Sequence, residues 1–93
     1  MSMINTTYNG YANYETWNLM LWMHNEEDLY RALHGNMTVY ARCGASIADI
    51  QYIFRSAISR KYGKPITPDG VSVNDKKVNW REIKKCLMDD FKV

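Results

Sequence analysis

The sequence predicts an all-α fold: one compact domain of four or five short helices with little or no sheet. Three observations predict it. Apolar residues recur at helical spacing in several windows, most clearly Ile47, Ile50, Phe54, Ala57 and Ile58. Helix-start residues precede such windows at Asn13, Asn25, Ser46 and Asn79, and an isolated glycine, Gly35 or Gly63, follows two of them. The one short alternating run, Val71-Ser72-Val73, suffices only for a brief edge strand.

Residues 1–12 read as an irregular arm with a turn at Asn9-Gly10, ahead of a single helical domain over 13–93. Asn13 caps a first helix from Tyr14 to about His24, with Glu15 in its first turn. Apolar residues surround this helix, so it is either a central rod or a rod with one face on a partner. Asn25 caps a second helix opening on Glu26, Glu27 and Asp28, with Leu29, Ala32 and Leu33 inward and Gly35 as its stop. Residues 36–43 are ambiguous in the sequence: Asn36 can cap a short helix carrying Met37, Tyr40 and Ala41, with Gly44 as its stop.

Ser46 and Asp49 resemble a capping box, and Gly63 followed by Pro65 ends the helix they open. Thr67-Pro68-Asp69-Gly70 is a turn signature. Asn79 caps the last helix, with Glu82 three residues on, Val78 able to staple onto Ile83, and Trp80, Ile83, Leu87 and Phe91 on one face. The expected core is Trp17, Leu21, Leu33, Ile50, Phe54, Ile83 and Leu87.

A chain of 93 residues supports one domain rather than two. Its 13% of aromatic residues supplies large buried areas to a small core. The longest apolar run, Leu19 to Met23, falls far short of the roughly twenty residues a bilayer demands. The start MSMINTTYNG is polar and lacks a basic stretch followed by an apolar run. The two cysteines, Cys43 and Cys86, make no CxxC. A cytoplasmic location with free thiols is the expectation.

Chemistry is sparse. His24, His34, Cys43 and Cys86 match no zinc spacing, so no metal and no cofactor is expected. Cys43 reads as an inert thiol, and Glu26-Glu27-Asp28 and Asp89-Asp90 as solvated helix turns rather than paired catalytic acids. No glycine-rich phosphate loop is present. The chain is therefore read as a non-enzyme.

Two surfaces remain. Residues 1–46 carry a net charge of −2 and residues 47–93 one of +4. Arg55, Arg60, Lys61, Lys64, Lys84 and Lys85, with Tyr52 and Tyr62 interleaved, form a candidate nucleic-acid contact. The stretch GYANYETWNLMLWMHN offers the other surface. Asn18 and Asn25 lie two turns apart with Trp22 between them, and aromatics flanked by amides suit a protein contact. Tyr11, Tyr14, Glu15, Asn18, Trp22 and Asn25 are the expected partner-binding residues.

The string Asn13-Tyr14-Glu15-Thr16-Trp17-Asn18, followed by Leu21-Trp22, Asn25, the acidic helix start and Leu29-Tyr30, resembles a family of small proteins carried by bacteriophages, mobile elements and some bacteria. Thr67-Pro68-Asp69-Gly70-Val71 with Asn74-Asp75 is similar to that family's second block. Met20, Met23 and the stretch 36–45 depart from its pattern. The resemblance transfers no catalytic residue. It implies an accessory protein acting in the cytoplasm of a bacterial host cell. Such a protein would bind a host protein complex, in the manner of an anti-restriction or anti-CRISPR inhibitor. A nucleic-acid-binding regulator is the alternative, and self-association as a homodimer is compatible with exposed Trp and Met.

Overall fold

Asn13 ends an extended stretch (φ −160°, ψ 175°) and its side-chain oxygen accepts from the Thr16 N–H, so the chain turns helical where an N-cap asparagine directs it. The computed structural model describes residues 10–90. Among these are four helices: α1 (Tyr14–Asn25), α2 (Glu27–Cys43), α3 (Ile47–Tyr62) and α4 (Trp80–Asp90). Ile66 and Ser72 form an isolated antiparallel bridge, and no strand is present among the described residues.

The junction of α1 and α2 differs from the expectation. Asn25 is the last residue of α1, not the cap of α2, and Glu26 alone breaks the helical path (φ −91°, ψ 124°). Its N–H donates to the Trp22 carbonyl at 3.2 Å, and its carbonyl accepts from the Tyr30 N–H at 2.8 Å. One residue thus closes one helix and opens the next.

Gly35 does not stop α2, and Asn36 caps nothing. The helix runs on to Cys43, and the Asn36 amide donates to the Ala32 carbonyl one turn back. A mid-helix glycine costs about 1 kcal/mol. Leu29, Leu33 and Met37, spaced four apart and fully buried, outweigh that cost by packing a continuous stripe across the glycine. Gly44, at φ 84°, is the actual terminus.

The capping box of Ser46 and Asp49 forms in both directions, and Gly63 closes α3 in the left-handed region (φ 82°). Asn79 caps α4 by accepting from the Glu82 N–H at 3.1 Å. The Glu82 carboxylate does not return to it, since Oε1 accepts from the Ala12 N–H at 2.8 Å. Phe91 lies outside the described residues.

The helices pack in chain order, α1 on α2, α2 on α3 and α3 on α4, and both α1 and α2 reach α4. Leu33, Ile50, Phe54, Ile83 and Leu87 are fully buried, as expected. Trp17 and Leu21 are only half-buried. The inward stripe of α1 is Thr16, Leu19, Met20 and Met23. The flexible thioethers fill the irregular space between three helices, while the stiff indoles flank them.

Candidate functional site

The segment 64–79 between α3 and α4 folds back across α1. Its turn is built by the Gly70 N–H donating to the Thr67 carbonyl at 2.8 Å and by Gly70 at φ 90°. The Thr67 N–H donates to the Val71 carbonyl at 2.9 Å, and the Val73 N–H to the Pro65 carbonyl at 2.9 Å. The turn is thereby a rigid knuckle that carries Thr67 and Asp69 side by side.

That knuckle closes on Asn18. The Thr67 hydroxyl donates to Asn18 Oδ1 at 2.7 Å, and Asn18 Nδ2 donates to Asp69 Oδ2 at 2.8 Å. The same carboxylate oxygen accepts from Trp22 Nε1 at 2.9 Å. The Trp22 ring meets Tyr62 edge-on at 6.3 Å, at the far end of α3. Asn18 is 0% exposed although it sits roughly 140° round the helix from Met23. The turn, not the helical core, covers it. The Asn18 amide and the Trp22 indole N–H hold the Asp69 carboxyl below its ordinary value of 3.8, the Asn18 hydrogen bond contributing most and Trp22 next.

A second clasp lies at the start of α1. Asn13 Nδ2 donates to the Lys77 carbonyl at 2.6 Å. Thr16 Oγ1 donates to Asn13 Oδ1 and accepts from the Asn79 N–H at 2.9 Å. The first motif therefore binds the segment between α3 and α4 of the same chain, Asn18 at Thr67 and Asp69, and Asn13 and Thr16 at Lys77 and Asn79. Thr67 and Asp69 read in the sequence only as turn formers, and nothing local announced the clasp.

The expected partner face is accordingly divided. Asn18 is corrected from an outward residue to a buried one whose amide is saturated. Trp22 is half-buried with its N–H engaged. Tyr14 is 37% exposed and stacks at a tilt on Trp17 at 5.7 Å. Glu15 is half-buried and Asn25 exposed. Tyr11 packs on the core, and burial raises its phenol pKa, helped by Cys86 and by the charges of Asp90 and Glu82. Tyr11, Trp17, Met20, Leu21, His24 and Asp90 line a groove of about 340 Å³ between α1 and α4.

The candidate bases do not make one stripe. Arg55 lines a cavity on the 73–80 side of α3, whereas Arg60, roughly 140° round the helix, lines one against Ala32 and Asn36 of α2. Lys61 is held by Asp28 at 2.8 Å and by Glu26 at 3.6 Å. That pairing raises the Lys61 pKa, and its hydrogen bond lowers that of Asp28. Lys64 and Lys85 are exposed, and Lys84 is half-buried.

Among the described residues, no three His, Cys, Asp or Glu side chains gather where they could hold a metal ion. Cys43 is exposed, and Cys86 is half-buried with its thiol pKa raised, chiefly by burial. No helix of the described residues is long and apolar enough to cross a membrane.

No curated protein and no solved structure matches the chain. Residues 4–92 match a family of unknown function, DUF7249, and that span includes both the α1 motif and the turn that closes on it. The chain belongs to the DUF7249 family.

Proposed function

We propose that this chain is a non-catalytic docking module that binds a protein complex of a bacterial host cell, as an accessory protein of a phage or mobile element. Its specific role in this reading is inhibition of a defence complex of the restriction or CRISPR kind. The observation that carries the docking reading is the groove between α1 and α4. Trp17, Leu21 and Tyr11 line it, and Tyr14 stands beside it at the surface. Aromatic side chains with a polar tip supply large contact area at small entropic cost, which suits a protein interface. The host context rests on the likeness of the Asn13–Asn18 and Thr67–Val71 blocks to phage and mobile-element proteins.

The reading is tested by affinity capture from bacterial lysate with wild-type chain, Leu21→Arg and Tyr14→Ala. The expected result is stoichiometric capture of one host complex, lost in Leu21→Arg and weakened in Tyr14→Ala while both variants keep wild-type helicity. Capture unchanged by both variants would remove the groove from the interface. Retardation of DNA or RNA at about 150 mM salt, lost in a Lys84→Ala/Lys85→Ala variant, would replace the reading with the nucleic-acid one.

A further inference from the structure

We propose that the cavity between α3 and the segment 73–80 is a recognition pocket for an acidic peptide. In it Arg55 takes a carboxylate and the apolar floor takes the neighbouring side chain. The cavity encloses about 240 Å³ and lies on a different surface from the α1–α4 groove. Its floor is Val73, Val78 and the Trp80 indole, which Phe54 fixes edge-on at 5.3 Å. Arg55 and Gln51, one helical turn apart, form one wall, and Asn74 and Lys76 form the other.

These four polar side chains are uncommitted. Among the described residues, Arg55 and Lys76 make no ion pair and no side-chain hydrogen bond, and the Gln51 and Asn74 amides make none either. Asn13, Thr16, Asn18 and Thr67, by contrast, each hydrogen-bond within the chain. The half-buried Arg55 guanidinium has donors to offer, and a ligand carboxylate would accept from them in a charge-assisted pair. Two primary amides at the rim provide the donors and acceptors that a peptide backbone requires.

The charge balance selects the carboxylate over a polyanion. Asp75 also lines the cavity, with Oδ1 accepting from the Lys77 N–H at 2.8 Å. One carboxylate against two cations leaves a single net positive charge, enough for one acid and poor for a chain of phosphates. The hydrophobic floor has no use for a free inorganic anion but suits the apolar neighbour of an acidic residue.

The probe is the capped dipeptide acetyl-Leu-Glu-amide, titrated into 15N-labelled protein, with acetyl-Leu-Gln-amide and inorganic phosphate as separate arms. The expected result is saturable shifts confined to Gln51, Arg55 Nε, Asn74, Lys76 and the Trp80 indole N–H, in the millimolar range. Affinity for the glutamine peptide should be at least about tenfold weaker, as one lost charge-assisted pair implies. Arg55→Gln should abolish the difference between the two peptides, and Lys76→Ala should reduce it in a protein whose spectrum is otherwise unchanged. Equal binding of both peptides, shifts scattered over the surface, or no saturation overturns the proposal. Tighter binding of phosphate than of the glutamate peptide overturns it as well and makes the pocket a phosphate site. None of these outcomes bears on the α1–α4 groove.

Discussion

The outward flank of α1 has two edges, and they treat their side chains in opposite ways. Asn18 and Trp22, on one edge, spend their polar groups inside the chain, on Thr67 and Asp69. Trp17 and Leu21, on the other, border an open groove of about 340 Å³. Both edges are rich in residues that bind partners well, so residue type does not separate a clasp from a docking surface. Geometry does: the knuckle at 67–70 lies over one edge, and a groove lies along the other. Changes on the first edge should act through stability, and changes on the second through binding.

The largest effect is expected at Asn18. Asn18→Ala removes the acceptor of the buried Thr67 hydroxyl and one donor to Asp69, and it leaves a void under the turn. Stranding a buried hydroxyl and losing these bonds should cost about 3 kcal/mol, or upwards of about 10 °C in Tm for a domain this small. Thermal unfolding followed by circular dichroism measures it. A variant melting within about 2 °C of the wild type would mean that the clasp contributes nothing and that Asn18 is available to a partner after all.

Trp22→Phe is the milder break. It keeps an aromatic ring against Tyr62 and deletes only the N–H donated to Asp69. The expected loss is about 1 kcal/mol. In a double-mutant cycle with Asp69→Ala, which deletes the acceptor, the two should couple, since they share one hydrogen bond. Strict additivity would show that the 2.9 Å contact carries no energy.

The acid limb of the stability curve tests the same carboxylate. The Asp69 pKa is lower folded than unfolded, so ionised Asp69 favours the folded chain. Its contribution is complete above the ordinary value of 3.8 and disappears as pH falls through the lower folded value. Asp69→Asn retains an acceptor but no charge. The stability gap between it and the wild type should be constant near neutrality and close below about pH 4. A gap that persists unchanged at pH 2.5 would assign the lowered pKa to something other than the clasp.

The legible parts of this fold were those written locally. Asn13, the Ser46-Asp49 box, Gly63 and the turn at Thr67–Gly70 each act within four residues, and each stands where its chemistry placed it. What escaped the sequence was decided at a distance. Gly35 reads as a stop until Leu29, Leu33 and Met37 are seen packed as one stripe. The inward face of α1 is ambiguous in the sequence because apolar residues surround it, and Trp17 and Trp22 offer larger apolar surfaces than Met20 and Met23. Asn18 reads as outward in the sequence because its partners lie 49 and 51 residues away, in a turn whose composition explains itself without them. The six candidate bases looked like a patch in one dimension, and the helical rotation of α3 set Arg55 and Arg60 on different sides.

The smallest effect sharpens the comparison most. Gly35 sits in the interior of α2, away from both edges of α1, and a methyl group there would meet no atom within 4 Å. Its φ is not in the left-handed region, so alanine fits the helix without strain. Gly35→Ala should add about 0.5–1 kcal/mol by limiting the freedom of the unfolded chain. Gly63→Ala, at φ 82°, should instead destabilise. The stabilised background separates the two roles of α1. Placed in it, Asn18→Ala should recover part of its lost Tm, because the two changes act independently on the folding equilibrium. Leu21→Arg in the same background should gain the same increment in Tm and still fail to capture a partner. If capture returned with the added stability, the groove edge would be acting through folding, and the distinction between the two edges of α1 would collapse.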